Sequence, residues 1–216
     1  MTDAQIIENA TDTDIAEWLR ERLSAALGRT PGTVAIAVPG GSTPFPILER
    51  LVARPLDWPR IRAYPTDDRL VSEDHPASNT GRLRALLEPV GAAVASLGDG
   101  SDPGTGAGIP QFALVWLGMG ADGHVASLFP NTDPQADDRE PVRRLTPDPL
   151  PPEAPFDRIT LTLPALLATQ DLLFVIRGAD KRAVFEAALR GDHDLPVARL
   201  LAASGQGRDR KVTCFV

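Results

Sequence analysis

The chain has 216 residues, of which 43% are hydrophobic, and a formal net charge of −7 at pH 7. This length can bury a core without disulfides or metals, and one cysteine excludes an internal disulfide and a cysteine-based metal site. The acidic balance without a Lys/Arg cluster argues against nucleic acid as a partner. No apolar run approaches the ~20 residues that span a bilayer, and residues 1–8 carry acids where a secretory signal needs bases. We therefore expect one cytoplasmic domain over residues 1–216, without a membrane partner.

The first predicted elements are a helix and a buried strand. Apolar residues recur at three- and four-residue steps over residues 14–27, which predicts an amphipathic helix. Residues 33–38 form a short apolar run rich in β-branched side chains, as in a strand buried on both faces of a parallel sheet. A glycine turn follows at once, and residues 45–52 continue as a second apolar-periodic helix.

The turn at residues 39–44 reads Pro-Gly-Gly-Ser-Thr-Pro and predicts an anion site. Thr43 suits the N-cap and Pro44 the first helical position, so free backbone N–H groups would face the glycines. Gly40 and Gly41 would allow an anion to approach the backbone closely. The alternative is a tight turn capped by Thr43, which accounts for Thr43 and Pro44 but not for two adjacent glycines.

Strands and helices then alternate along the chain. Short apolar runs lie at residues 61–64, 112–117, 159–163 and 172–176, with helical patterns at 81–87 and 181–189. This alternation predicts an α/β fold with a single doubly wound, mostly parallel sheet and helices on both faces, which is Rossmann-like. Residues 99–110 and 133–155 are rich in Gly or Pro and are predicted to be surface loops.

Ligands of such sheets bind beyond the carboxyl ends of the strands, so the residues there are candidates for function. Thr66-Asp67-Asp68-Arg69 follows the second strand, and Arg69 could bind a phosphate or carboxylate through two hydrogen bonds. The alternative is a surface arginine paired with Asp67 or Asp68. Ser78 and Asn79 are predicted to cap the next helix.

The segment at residues 117–130 reads Leu-Gly-Met-Gly-Ala-Asp-Gly-His-Val-Ala-Ser-Leu-Phe-Pro and places His124 on a glycine-rich loop. An imidazole can take a proton from water near neutral pH, which makes His124 a candidate general base. Asp122 could orient the imidazole or bind substrate hydroxyls. The alternative for His124 is a structural role, and we expect His75 and His193 at the surface.

Together these motifs resemble those of the 6-phosphogluconolactonase family, as do residues 158–164 and the Gly178-to-Lys181 turn. The resemblance implies hydrolysis of 6-phospho-D-glucono-1,5-lactone, with His124 activating a water beside Asp122. It also implies substrate binding by further residues of the two loops and the late helix. These are Gly40, Gly41, Ser42, Thr43, Arg69 and Lys181.

Three alternatives remain for function. Glucosamine-6-phosphate deaminases share the phosphate loop and the Asp-Gly-His motif, but they carry a Glu five positions after the His, where this chain has Phe129. Residues 118–123 formally match a dinucleotide-binding G-x-G-x-x-G, although Pro130 stops the segment that follows. A non-catalytic sugar-phosphate sensor would keep the glycine turn without requiring His124.

The pattern predicts neither a metal nor another cofactor. The three histidines fit no zinc-site spacing, and no G-x-S-x-G elbow indicates a covalent serine route. We expect a small phosphorylated sugar lactone as the only ligand, and a monomer or small homo-oligomer.

Overall fold

Seven of the ten described strands join in one parallel sheet. The computed structural model describes residues 4–98, 108–150, 154–205 and 210–216. The strands there are β1 (Ala4–Ile7), β2 (Val34–Val38), β3 (Ile61–Pro65), β4 (Asp67–Arg69), β5 (Ala93–Val94), β6 (Leu114–Leu117), β7 (Val142–Leu145), β8 (Arg158–Leu161), β9 (Asp171–Val175) and β10 (Lys211–Phe215). The α-helices are α1 (Asp12–Arg29), α2 (Pro44–Val52), α3 (Asn79–Leu87), α4 (Leu163–Leu166), α5 (Ala179–Arg190) and α6 (Pro196–Ser204).

The strand order of the main sheet is β1-β10-β9-β6-β2-β3-β5, and every neighbouring pair is parallel. The chain first runs from β2 to β3 on one side and later places β6 on the other side of β2. A change of direction of this kind opens a crevice beyond the carboxyl ends of the two strands involved. The glycine turn after β2 and the His124 loop after β6 therefore face each other across this crevice.

Helices cover both faces of the main sheet, as predicted. In β6, Val115 and Leu117 point into one hydrophobic core, and Leu114 and Trp116 point into the other. Buried residues of α1, α2 and α3 complete the second core, while those of α4, α5 and α6 complete the first. Burial on both faces is why the strands read as continuous apolar runs.

The predicted helices are confirmed, with ends that shift by up to two residues. The prediction that residues 159–163 belong to the parallel sheet is wrong. This stretch forms β8, which pairs antiparallel with β4 and β7 in a second, three-stranded sheet. All four residues of β8 are buried, but apolar Ile159 and Leu161 alternate with polar Arg158 and Thr160, a pattern typical of an antiparallel strand.

The predicted loop at residues 133–155 contains β7, so it is not entirely loop. The predicted loop at residues 99–110 lies mostly outside the described residues, and residues 108–110 carry neither helix nor strand. The assignment of residues 1–216 to one domain stays a prediction.

Candidate active site

A cavity of about 260 Å³ lies at the carboxyl ends of β2, β6 and β9. Seven of the predicted site residues line it: Gly40, Gly41, Ser42, Thr43, Arg69, His124 and Lys181. The eighth, Asp122, lines an adjoining cavity of about 930 Å³, and the two cavities share Asp67, Arg69, His124, Ala126 and Lys181. A larger cavity of about 1200 Å³ between residues 133–136 and 188–205 contains none of the predicted site residues.

The glycine turn is shaped by its backbone. Gly41 has φ +91°, a left-handed conformation that a side chain would strain. A Cβ on Gly40 would lie 2.0 Å from Asn79 Oδ1, so Gly40 is what allows the turn to pack on Asn79. The two adjacent glycines are therefore needed for different reasons: Gly41 for its backbone conformation and Gly40 because a side chain would collide with Asn79.

Thr43 occupies the N-cap position of α2, but the predicted cap hydrogen bond is absent. Its backbone is already helical, with φ −69° and ψ −43°, and its side chain makes no capping bond. A cap side chain normally accepts from the second or third helical N–H, and the third residue here is Pro46, which has none. Because Pro44 also lacks an N–H, this helix start offers fewer donors to an anion than the sequence pattern predicted.

Arg69 is held by groups other than the two aspartates suggested by the sequence. Its Nη1 donates to Ala77 O at 3.0 Å and to Asn79 Oδ1 at 2.8 Å, and its buried Nε has no hydrogen-bond partner. The alternative of a side-chain pair with Asp67 or Asp68 is wrong. The Arg69 guanidinium is thus fixed at the cavity wall, and it has further N–H groups that can donate to a ligand.

Of the two predicted caps of α3, only Ser78 acts as one, since its Oγ accepts from Gly81 N at 3.0 Å. Asn79 is instead the first helical residue, and its side-chain amide donates to Asp67 O at 2.8 Å. Asn79 therefore joins Arg69, β4 and the glycine turn. The sequence gives little sign of this role, because Asn after Ser is common at helix starts.

The two aspartates before Arg69 are buried and satisfied by different partners. Asp68 accepts from Asn79 N at 2.6 Å and from Thr80 N at 2.8 Å, which ties β4 to the start of α3. Asp67 accepts from Ser127 Oγ at 2.5 Å and lines both cavities. A buried carboxylate requires such donors, so Asp68 is structural, whereas Asp67 also forms part of the walls of both cavities.

His124 is oriented from two sides. Its Nδ1 lies 2.6 Å from Asp122 Oδ1, and its ring packs on Phe129 with centroids 4.8 Å apart. The hydrogen bond to His124 lowers the pKa of the Asp122 carboxyl, so this group is ionised and can only accept. Nδ1 is therefore the donor in this contact, and in a neutral imidazole the lone pair that can accept a proton is on Nε2.

The backbone around His124 has no space for larger residues. A Cβ on Gly120 would lie 2.2 Å from His124 Nδ1. Gly123 has φ +77°, and a Cβ there would lie 2.8 Å from the Leu195 side chain. Val197 N also donates to Gly123 O at 3.0 Å. The start of α6 therefore supports the loop that carries His124.

Of the two histidines predicted at the surface, His75 is exposed and His193 is not. His193 is half-buried in the turn between α5 and α6, where its Nδ1 accepts from Leu195 N at 3.3 Å and its Nε2 lies 3.1 Å from Val184 O. Its polar neighbours in the sequence concealed this role in the turn.

The cavities are rich in cationic side chains. Lys181, from the first turn of α5, is half-buried and makes no hydrogen bond or ion pair with the described residues. Arg177 lines the same cavity, and the buried Arg158 lines the adjoining one. Neither Arg177 nor Arg158 was predicted as a site residue, although Arg177 follows β9 by two residues and Arg158 lies opposite Arg69 in the β4–β8 pair. Several cations around a glycine turn suit a phosphorylated ligand.

Two further features concern the described part of the chain alone. It contains no group of three His, Cys, Asp or Glu side chains that could hold a metal ion. None of its helices has the length and apolar character that crossing a membrane requires.

Comparison with known proteins agrees with this geometry. A model of the family described as glucosamine-6-phosphate isomerases/6-phosphogluconolactonase matches residues 8–97 and 90–209. A 6-phosphogluconolactonase of Pseudomonas aeruginosa is 37% identical over 208 residues, which cover 88% of this chain and 86% of that protein. A 6-phosphogluconolactonase of Caulobacter vibrioides is 34% identical over 199 residues, covering 83% of this chain and 82% of that protein.

Solved structures extend the likeness to the fold. The crystal structure of 6-phosphogluconolactonase from Thermotoga maritima superposes with a TM-score of 0.80 at 26% identity and covers 99% of both chains. A monomeric glucosamine-6-phosphate deaminase shares the fold with a TM-score of 0.74 at 16% identity, over 98% of this chain and 96% of that one. The chain belongs to the glucosamine-6-phosphate isomerase/6-phosphogluconolactonase family.

Proposed function

We infer that this chain hydrolyses 6-phospho-D-glucono-1,5-lactone to 6-phosphogluconate, a reaction of the oxidative pentose phosphate pathway. The observation that carries the inference is the His124–Asp122 pair, 2.6 Å apart, in the cavity that also contains the glycine turn. A base and an anion site in one cavity suit a substrate with a reactive carbonyl at one end and a phosphoryl group at the other.

In the proposed mechanism, His124 Nε2 takes a proton from a water whose oxygen attacks the lactone carbonyl carbon. The resulting tetrahedral oxyanion collapses and breaks the bond between this carbon and the ring oxygen, which receives the proton from the imidazolium. Asp122 keeps the imidazole in the required tautomer and stabilises its charged form. No covalent intermediate and no metal are needed.

Phosphate binding is assigned to the opposite side of the cavity. Gly40, Gly41, Ser42 and Thr43 would surround the phosphoryl group, while Arg69 would contact it from the wall. Lys181 is well suited to this role because it has no other partner among the described residues. A half-buried lysine without a counterion among the described residues favours an anionic ligand.

The deaminase alternative is less well supported. Ring opening and isomerisation of an amino sugar need further acid and base groups close to the histidine. The residue packed on the His124 ring is Phe129, whose centroid lies 4.8 Å away and which cannot transfer a proton. We also propose a cytoplasmic location, no nucleic-acid partner and a monomer or small homo-oligomer.

The decisive experiment is timed hydrolysis of freshly made 6-phosphogluconolactone, corrected for spontaneous opening, beside ammonia release from glucosamine 6-phosphate. We expect protein-dependent lactone hydrolysis and no ammonia. Ammonia without lactone hydrolysis would establish the deaminase. Neither activity, together with saturable binding of 6-phosphogluconate, would indicate a sensor.

A further inference from the structure

The phosphate end of the cavity depends on side-chain cations more than the sequence pattern indicated. Two of the first three residues of α2 are Pro44 and Pro46, which remove backbone donors from the helix start beside the glycine turn. An anion held there must therefore obtain much of its charge compensation from side chains. Arg69 and Lys181 are two such groups in the proposed function, on which this inference rests.

Arg177 is a third cation at the same end. It follows β9 by two residues and precedes Gly178, which has φ +99° and begins the turn into α5. Its side chain lines the cavity together with the glycine turn and Lys181. Because β2 and β9 lie in one parallel sheet, the loops that follow them begin at the same edge of the sheet. This arrangement brings Arg177 close to the glycine turn.

Only part of the hydrogen-bonding capacity of the Arg177 guanidinium is used by the contact with Asp12. Its Nη2 lies 3.1 Å from Asp12 Oδ1, in the first turn of α1, and its side chain is 40% exposed. The Asp12 carboxylate also lies 3.9 Å from Arg50 Nη1, so it has a second cation nearby. A guanidinium has five N–H groups, and the contact with Asp12 leaves donors for another anion.

We propose that Arg177 binds the phosphoryl group of the substrate and that Asp12 holds its guanidinium at the rim of the cavity while the site is empty. An exposed ion pair contributes little to stability, because water and salt screen it. A phosphoryl group offers more oxygens and more charge than one carboxylate, so the exchange of partners is favourable. Arg50 remains beside Asp12 when Arg177 turns inward.

The competing explanation is purely structural, in that the Arg177–Asp12 pair only fastens the turn after β9 to α1. The two explanations differ in what the substitution changes. A structural pair would change the melting temperature and affect all substrates alike, whereas a phosphate contact would change KM for phosphorylated substrates alone.

The test uses Arg177→Ala and Arg177→Gln in the full chain, with KM and kcat measured for 6-phosphogluconolactone and for unphosphorylated glucono-1,5-lactone. We expect KM for the phosphorylated lactone to rise about tenfold, the scale of one lost charge-assisted contact. The kcat for this lactone and the kcat/KM for the unphosphorylated one should stay unchanged. Asp12→Asn should lower KM for the phosphorylated lactone, because Arg177 is then released.

Arg22→Ala is the matched control. Arg22 is also a partly exposed arginine in an ion pair, 3.9 Å from Asp171, and it lies outside the cavity. It should change neither KM. An unchanged KM for the phosphorylated lactone in both Arg177 variants, or an equal rise for both lactones, would overturn the proposal.

Binding measurements separate this inference from the proposed function. Calorimetric titration with 6-phosphogluconate, gluconate and inorganic phosphate requires no turnover. We expect Arg177→Ala to weaken 6-phosphogluconate binding about tenfold. The titration with inorganic phosphate shows whether a phosphoryl group alone is enough for binding. If the wild-type chain hydrolyses neither lactone, the proposed function fails, and equal affinities of wild type and variant for 6-phosphogluconate would overturn the Arg177 assignment as well.

Discussion

The glycine turn at residues 39–44 and the histidine loop at residues 118–124 face each other across one cavity, yet they are built differently. The histidine loop fixes a reactive side chain through Asp122 on one edge and Phe129 on its face. The glycine turn has its shape from the backbone of Gly41 and from the space that Gly40 leaves for Asn79. One side is therefore suited to chemistry and the other to holding a charged group. Substitutions on the two sides should separate into effects on kcat and effects on KM.

The largest effect is expected from His124→Ala. Loss of the base should lower kcat for 6-phosphogluconolactone at least ~100-fold, the usual scale of general-base catalysis. The melting temperature should change little, because the side chain is 32% exposed and its hydrogen bond is to the exposed Asp122. Initial rates and thermal unfolding check both points. His75→Ala is the control, and unchanged kcat in the His124 variant would exclude the proposed base.

A smaller effect on kcat is expected from Gly120→Ala. The added Cβ would lie 2.2 Å from His124 Nδ1, so the imidazole has to move. A displacement of about 1 Å can cost up to roughly a hundredfold in rate. Gly118→Ala is the matched control, since its Cβ would have Pro39 Cβ at 3.8 Å as its nearest neighbour, an ordinary contact. Equal kcat values for the two variants would show that the His124 position is not critical.

Substitutions on the proposed phosphate side of the cavity should change substrate affinity. Lys181→Ala should raise KM for 6-phosphogluconolactone about tenfold and leave kcat nearly unchanged, because one charge-assisted contact is lost. Unphosphorylated glucono-1,5-lactone should be unaffected. Lys211→Ala is a natural control, because Lys211 is the chain's other lysine and is exposed on β10. Equal losses on both lactones would remove the phosphate role of Lys181.

Much of the fold could be predicted from the sequence, because strands buried on both faces and amphipathic helices leave opposite apolar patterns. The apolar pattern was misread at β8, because residues 159–163 alternate Ile or Leu with Thr, as is typical of an antiparallel strand, and are not a continuous apolar run. It also gave no prediction for β1, whose four residues are all at least partly exposed. The terminal strand β10 and helix α6 were likewise not predicted.

The position of the site could be predicted from the motifs and from the strand ends that they follow. The loops after β2 and β6 must meet in a parallel sheet with this order, which brings Gly40 and His124 to one cavity. Side-chain partners could not be predicted, because they depend on atomic distances between distant segments. Asn79 illustrates this, since its amide serves Arg69 and β4, and so does Arg177, whose sequence neighbours carry no motif.

The most direct test of this division of labour is the double variant His124→Ala/Lys181→Ala, measured beside both single variants on the phosphorylated and unphosphorylated lactones. This division of labour predicts that the His124 substitution reduces turnover of both lactones, that the Lys181 substitution affects the phosphorylated lactone alone, and that the two free-energy losses add. A Lys181 variant that slows both lactones equally, or a His124 variant that retains wild-type turnover, would contradict it.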